Sequence, residues 1–308
     1  MIRKILPLFT ALALAMSRAA FAESGWSLLN MTPGVTDISR KIYGLHMLVF
    51  YVCCGIGVVV FGAMVYSIVR FRHSQGAVPD TTMVHNTKVE VVWTIIPVVI
   101  LIAMAIPAAR TLIQIEDLRN TELTIRVTGF QWGWNYTYIA SGVNFFSRLD
   151  RQSDAARQLD SGIDVNTVPH YLLNVDHPLV VPVDTKVRLL ITADDVIHSW
   201  WVPAFGVKKD AIPGFINEAW FKVDADKPGV YRGQCAELCG RDHGFMPIVV
   251  DARSKSDFEA WLKAQVAAQK AQPPAQQARE PASSSPPARE AEQQAQSLSQ
   301  PTRLAVLP

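Results

Sequence analysis

The sequence is short of several things, and each shortage narrows what the protein can be. Its formal net charge is only +2 over 308 residues, so it lacks the basic excess of a nucleic-acid-binding surface and no nucleic-acid partner is expected. It contains no internal repeat, which excludes a repeat array. No Cys-x-x-Cys-His occurs, so no covalently attached haem c is expected in this chain. Cysteine is scarce. Of the four present, Cys53 and Cys54 sit in an apolar run and read as small buried hydrophobes. Cys235 and Cys239 stand in a polar loop and need a separate explanation. The last stretch, rich in Pro, Ala, Gln, Ser and Glu, has almost no aromatic residues. It cannot bury enough apolar surface to offset its ordering entropy, so disorder is expected there.

What is present divides the chain into a membrane part and a water-soluble part. Hydrophobic residues make up 49% and the mean hydropathy is +0.15. That is high for a soluble protein and low for a multi-span transporter. Residues 1–22 read as an export signal, with Arg3 and Lys4, an apolar run, and the Ala20-Phe21-Ala22 cleavage pattern; an uncleaved anchor is the alternative. An extracytoplasmic segment, 23–44, follows. Within 45–118 lie two apolar runs, Leu45 to Val69 and Val91 to Ile115. About 25 residues at about 1.5 Å each cross a hydrocarbon core of about 30 Å. The second run carries Pro97 and Pro107, tolerated in membrane helices. Arg70, Arg72 and Lys88 in the intervening loop place it in the cytoplasm, so both ends of the hairpin face outward. Trp26 and Trp93 are reasonable interface anchors.

From residue 119 to 252 the period changes to that of strands. Leu123, Ile125 and Val127 alternate with polar residues, as do Leu179, Val181 and Val183. Val187–Ile191, Trp220–Val223, Gly229–Tyr231 and Pro247–Val250 read as further short strands between Gly/Pro turns. This pattern predicts an all-β sandwich or barrel. Residues 147–166 read as an inserted polar loop. A short helix is expected from Ser254 to about Ala271, within a terminal region 253–308.

The chemistry concentrates in one loop. Cys235, Cys239, His243 and Met246 fall within twelve residues, and soft sulfur with imidazole suits copper. His198, upstream, is the natural partner. A mononuclear blue-copper site needs one cysteine fewer. The surplus thiolate makes sense if both sulfurs bridge two coppers, each completed by one histidine and one weak axial donor. Three other readings stand beside this one. Cys₂His₂ zinc would leave Met246 idle and usually has its histidines close together. An exported cysteine pair can form a disulfide. Met246 can be plain core.

The loop, together with Val89-Glu90-Val91-Val92-Trp93-Thr94-Ile95-Ile96-Pro97, Gln131-Trp132-Gly133-Trp134, Asp195-Val196-Ile197-His198-Ser199-Trp200 and Lys209-Asp210-Ala211-Ile212-Pro213-Gly214, closely resembles cytochrome c oxidase subunit II. The resemblance runs from about Gly44 to Ala252. It implies a two-helix transmembrane hairpin plus a cupredoxin-like Greek-key sandwich carrying a dinuclear CuA centre. Cys235 and Cys239 would bridge the coppers. His198 and Met246 would complete one, and His243 with the backbone carbonyl of Glu237 the other. The Glu237 carboxylate would help hold Mg²⁺ or Mn²⁺ shared with subunit I. Trp132 would receive electrons from cytochrome c docked on an acidic face, for which Asp150, Asp154, Asp164, Asp176, Asp194 and Asp195 are candidates. Glu90 would stand at the mouth of a proton-uptake channel. Subunits I and III would be partners, in the bacterial inner membrane. One departure is Phe215, where the family often has Arg. The residues also weigh against relatives: a quinol oxidase subunit loses the copper ligands, and nitrous oxide reductase needs a further large domain. A tethered copper carrier would give Glu90, Trp132 and the hairpin no task.

Overall fold

The computed structural model describes residues 30–78, 82 and 85–271. The expected signal peptide, Trp26 and the terminal segment beyond Ala271 lie outside the described residues. Two long helices, α1 (Asp37–Arg70) and α2 (Thr87–Ile115), pack against one another as a hairpin. Both are long and apolar enough to cross a membrane. Helix α1 starts about two turns before the apolar run. Thr36 and Ser39 form a reciprocal capping box there, which satisfies orphan amides that hydropathy alone does not register. Asn86 caps α2 through the amides of Lys88 and Val89. Pro97 and Pro107 both lie inside α2.

The soluble part is a sandwich of two five-stranded sheets. One has the order β3-β2-β1-β5-β8: β1 is Leu123–Phe130, β2 Gly133–Tyr138, β3 Asn144–Ser147, β5 Val187–Ala193 and β8 Asn217–Phe221. The other runs β4-β10-β9-β6-β7, with β4 Leu179–Pro182, β6 His198–Val202, β7 Val207–Ala211, β9 Gly229–Cys235 and β10 Pro247–Arg253. The pairs β1/β5 and β4/β10 are parallel, the rest antiparallel. The alternation read in β1 holds, with Ile125 and Val127 pointing into the core. Strand β4, read the same way, is instead buried on every residue, while β5 alternates, with Val187, Leu189 and Ile191 inward. Trp134, Tyr136 and Trp200 fill it, and the Trp200 Nε1–H donates to the Tyr136 hydroxyl at 3.3 Å.

Three expectations change in detail. The polar stretch after β3 contains a short helix, α3 (Arg151–Ala156), rather than loop alone. Strand β8 begins earlier than the Trp220–Val223 run. The terminal helix α4 (Lys255–Ala271) packs on the sandwich, with Phe258 buried and the Trp261 ring tilted against that of Tyr138, centroids 5.4 Å apart.

Both ends of the hairpin are fixed to the sandwich. The Thr36 hydroxyl donates to the Phe205 carbonyl at 2.9 Å, and Arg40 pairs with Asp224. After α2, the Lys186 ammonium donates to the carbonyls of Asp117 and Arg119 at 2.6 and 2.7 Å while lying over the Trp220 ring. These ties hold the ligand-bearing domain in one attitude relative to the membrane spans.

Candidate metal centre

Three chain segments build the site. Strand β6 opens with His198. Strand β9 ends at Cys235. The loop from there to β10 carries Glu237, Cys239, His243 and Met246. Register sets the spacing: Trp200 of β6 pairs with Cys235 of β9. The loop then folds back, the Cys235 amide donating to the Met246 carbonyl at 3.1 Å and the Ala236 amide to the Ser199 carbonyl at 3.0 Å.

The donors converge. His198, Cys235 and Cys239 place one ligand atom each within 4.8 Å of one another. The two sulfurs are 3.8 Å apart, far beyond a disulfide bond of about 2.05 Å. Two metal–sulfur bonds of about 2.3 Å reach across such a gap at an open angle. His198 Nδ1 lies 4.0 Å from Cys235 Sγ, His243 Nδ1 3.6 Å from Cys239 Sγ, and Met246 Sδ 4.0 Å from Cys239 Sγ. The Glu237 carbonyl is 3.4 Å from Cys235 Sγ. His198, both cysteines and Met246 are buried, whereas His243 is half-buried. Soft sulfur and imidazole in a dry pocket fit copper.

The surrounding groups orient the ligands. His198 Nε2 lies 2.8 Å from Asp195 Oδ1. A proton on Nε2 leaves Nδ1 with its lone pair facing the sulfurs, the arrangement in which a carboxylate fixes a metal-binding histidine. Asp195 also accepts from the amides of Val196 and Gln131, both at 2.6 Å. Gln131 and Trp132 reach the other side of the site, donating to the Cys239 carbonyl at 2.8 and 3.2 Å. Gly129 leaves no room for a side chain: a Cβ there would lie 2.8 Å from His198 Cδ2.

Electrostatics make the metal-free site uncomfortable. Burial raises the Cys235 thiol, but the His198 imidazole and contacts with Ser199 and Glu237 outweigh it and bring it down to about 7. Cys239 is pushed up to about 12 by burial and by its neighbour Cys235. Burial lowers His198, yet its bonds to Cys235 and Asp195 leave it above the ordinary value. Without a cation, only one of the two sulfurs ionises near neutrality. A cation between them removes the repulsion.

Other sequence-predicted residues fall elsewhere. Trp132 is half-buried rather than fully exposed, with its indole against the metal loop and Arg241 over its ring at 5.4 Å. The Glu237 side chain is exposed. Glu90 lies at the far end of α2, roughly 37 Å from Ile115 along the helix at about 1.5 Å per residue, and accepts from the Asn86 amide at 3.3 Å. Of the candidate docking acids, Asp195 turns inward to His198, Asp150 caps α3, Asp154 pairs with Arg157 and Asp176 accepts from the Arg148 amide. Sequence reasoning gave Asp195 a surface role; its spacing three residues before His198 was the signal of its structural one.

Family models for the transmembrane and periplasmic domains of cytochrome C oxidase subunit II match residues 24–111 and 123–253. The probable cytochrome c oxidase subunit 2 of Rickettsia prowazekii is 39% identical over 234 residues, covering 76% of this chain and 71% of that protein. Cytochrome c oxidase subunit 2 of Cereibacter sphaeroides is 34% identical over 242 residues, 75% of this chain and 78% of that one. A crystal structure of the periplasmic domain of subunit II of cytochrome oxidase from Bradyrhizobium japonicum is 41% identical, covers 48% of this chain and 96% of its own, and gives a TM-score of 0.41. With both domains matched in order and relatives aligned over about three quarters of its length, the chain belongs to the cytochrome c oxidase subunit II family and is a membrane-anchored subunit of a haem-copper oxidase.

Proposed function

We propose that this subunit accepts electrons from ferrocytochrome c at a dinuclear CuA centre and passes them to haem in subunit I, where O₂ is reduced with coupled proton pumping. The observation that carries the reading is the pair of buried sulfurs 3.8 Å apart, flanked by two Nδ1 atoms and a thioether. His198 and the Glu237 carbonyl lie beside Cys235, while His243 and Met246 lie beside Cys239. A metal pair held by both sulfurs would find two imidazoles and two weak donors around it. These distances do not pair them, and the division into His198 with Met246 and His243 with the Glu237 carbonyl is what the family resemblance implies. Bound copper would supply a one-electron store whose charge is spread over two ions.

The chain's own groups do the rest. Asp195 holds the His198 proton on Nε2. The sandwich keeps water from the sulfurs. Trp132, touching the Cys239 carbonyl and partly open to solvent, is the electron-input residue. The exposed Glu237 carboxylate, a hard oxygen donor, would help hold Mg²⁺ or Mn²⁺ shared with subunit I. Exposed Val196, Ile197, Phe215, Ile216 and Leu238 ring this end of the sandwich. An apolar rim of that kind suits burial by subunit I. Glu90 at the cytoplasmic end would be the proton-uptake carboxylate, and subunit III completes the complex. The copper domain would face the periplasm of a bacterial inner membrane.

The test is rapid mixing of the purified oxidase with ferrocytochrome c. Near-infrared bleaching of the copper band should precede haem reduction. In Cys235→Ser and Cys239→Ser enzymes both signals should vanish. Haem reduction at the wild-type rate in either variant would contradict the reading.

A further inference from the structure

The short helix α3 lies outside the site as described so far, yet it ends against the metal loop. Arg157 follows its last residue. The Arg157 Nε–H donates to Asp154 at 2.8 Å, one terminal nitrogen lies 3.7 Å from Asp242 Oδ1, and its guanidinium carbon sits 4.4 Å from the Phe245 ring centre. Asp242 and Phe245 are the residues immediately before His243 and Met246, the two donors beside Cys239. They also close the turn between those donors, the Phe245 amide donating to the Asp242 carbonyl at 2.9 Å. Gly244 at the crown of the turn has open space around it, so the turn is held from its flanks and not by packing at its tip.

Helix α3 is itself well fixed. The Asp150 carboxylate accepts from the amides of Gln152 and Ser153 at 3.0 Å. Ser153 is fully buried and accepts from the Leu172 amide at 3.1 Å. Leu149 bridges to Val175. The guanidinium is therefore presented by a rigid support. Its side chain is 22% exposed and that of Asp242 15%, so this is not the free surface pair whose contribution is negligible. A planar cation that pairs with two carboxylates and lies over an aromatic face restricts both in a way a point charge does not.

We propose that Arg157 is a positioning residue for the metal centre, gripping the turn so that His243 and Met246 reach the same metal pair. The proposal rests on the copper reading above. Two contributions separate by chemistry. The contact of the guanidinium with the Phe245 ring sets geometry. The positive charge offsets Asp154 and Asp242. Asp242 keeps Arg241 as a second partner at 3.3 Å, so without Arg157 it is chiefly the field of Asp154 that stabilises the oxidised, more positive metal pair.

The experiment uses the full chain in detergent, loaded with copper, as wild type, Arg157→Lys, Arg157→Gln and Arg157→Ala. The readouts are the electron-spin hyperfine splitting, the reduction potential, and the rate of copper loss to a chelator. Gln and Ala should lose copper roughly tenfold faster, the lower end for outer-shell partners of a metal ligand, and their potentials should fall. Lys should keep a near-wild-type potential with an altered hyperfine splitting. Should the Ala variant not fold, the Lys and Gln variants carry the same comparison. Wild-type splitting, potential and copper retention in all folded variants would overturn the proposal while leaving the copper reading intact. Failure of the wild type itself to hold a metal pair would sink that reading, and this proposal with it.

Discussion

Replacing Asp195 with Ala is the most informative single change, because the residue touches neither sulfur and yet orients a ligand. His198 is fully buried, and its Nε2 proton has the Asp195 carboxylate at 2.8 Å. Losing that acceptor leaves a buried donor unpaired, at a cost of about 1–3 kcal/mol. Asp195 is itself 32% exposed on its side chain, so water recovers part of this and the lower half of the range applies. Removal of carboxylate partners of metal-bound histidines lowers affinity about 10–100-fold, which corresponds to about 1.4–2.7 kcal/mol. The two estimates overlap, and they place the expected loss near tenfold to thirtyfold. The variant also frees the Gln131 and Val196 amides, so Asp195→Asn serves as control: it keeps one acceptor oxygen and should lose less. Competition between the full chain and a copper chelator measures the change. Copper retention equal to wild type in Asp195→Ala would refute the argument that the carboxylate orients His198.

Four further outcomes follow from the same geometry. Gly129→Ala should displace the His198 ring, since the new Cβ would lie 2.8 Å from it; an altered copper spectrum with an intact far-ultraviolet spectrum is expected. Copper affinity should rise with pH, because both thiols must lose protons to bind. The slope of log affinity should ease near pH 7, above which Cys235 is already ionised and Cys239, at about 12, still releases its proton on binding; a slope unchanged between pH 6 and 8.5 would contradict this. Met246→Leu nearly conserves volume, costing under about 1.5 kcal/mol of stability, but it removes a soft donor and should raise the reduction potential. Trp132→Ala should leave the copper spectrum in place while slowing oxidation of ferrocytochrome c by the complete oxidase.

The sequence and the structure agree most closely where one physical signal dominates. The hairpin was legible because lipid demands an unbroken apolar run, though the docked first turns of α1 were not, since Ile38 and Ser39 are buried by the sandwich rather than by lipid. Strands β1, β5 and β10 showed themselves by apolar content. Strands β2 and β6 did not: Gly133–Tyr138 and His198–Val202 are buried on nearly every residue, so they carry aromatic, histidine and serine side chains in place of an alternating pattern. Short β3 and β7 gave too few residues to show a period. In the site, the cysteine, histidine and methionine spacing picked out side chains that the fold brings together, because few other jobs need that chemistry in one loop. Asp195 and Arg157 were hidden for the opposite reason. A carboxylate or a guanidinium on a loop reads as solvated until the fold shows what it faces.

The central claim is a metal pair bridged by Cys235 and Cys239, and electron-spin resonance of the copper-loaded full chain tests it most directly. The account predicts two coppers per chain and a seven-line hyperfine pattern, from one unpaired electron shared by two equivalent nuclei. A four-line pattern with a single copper would contradict it.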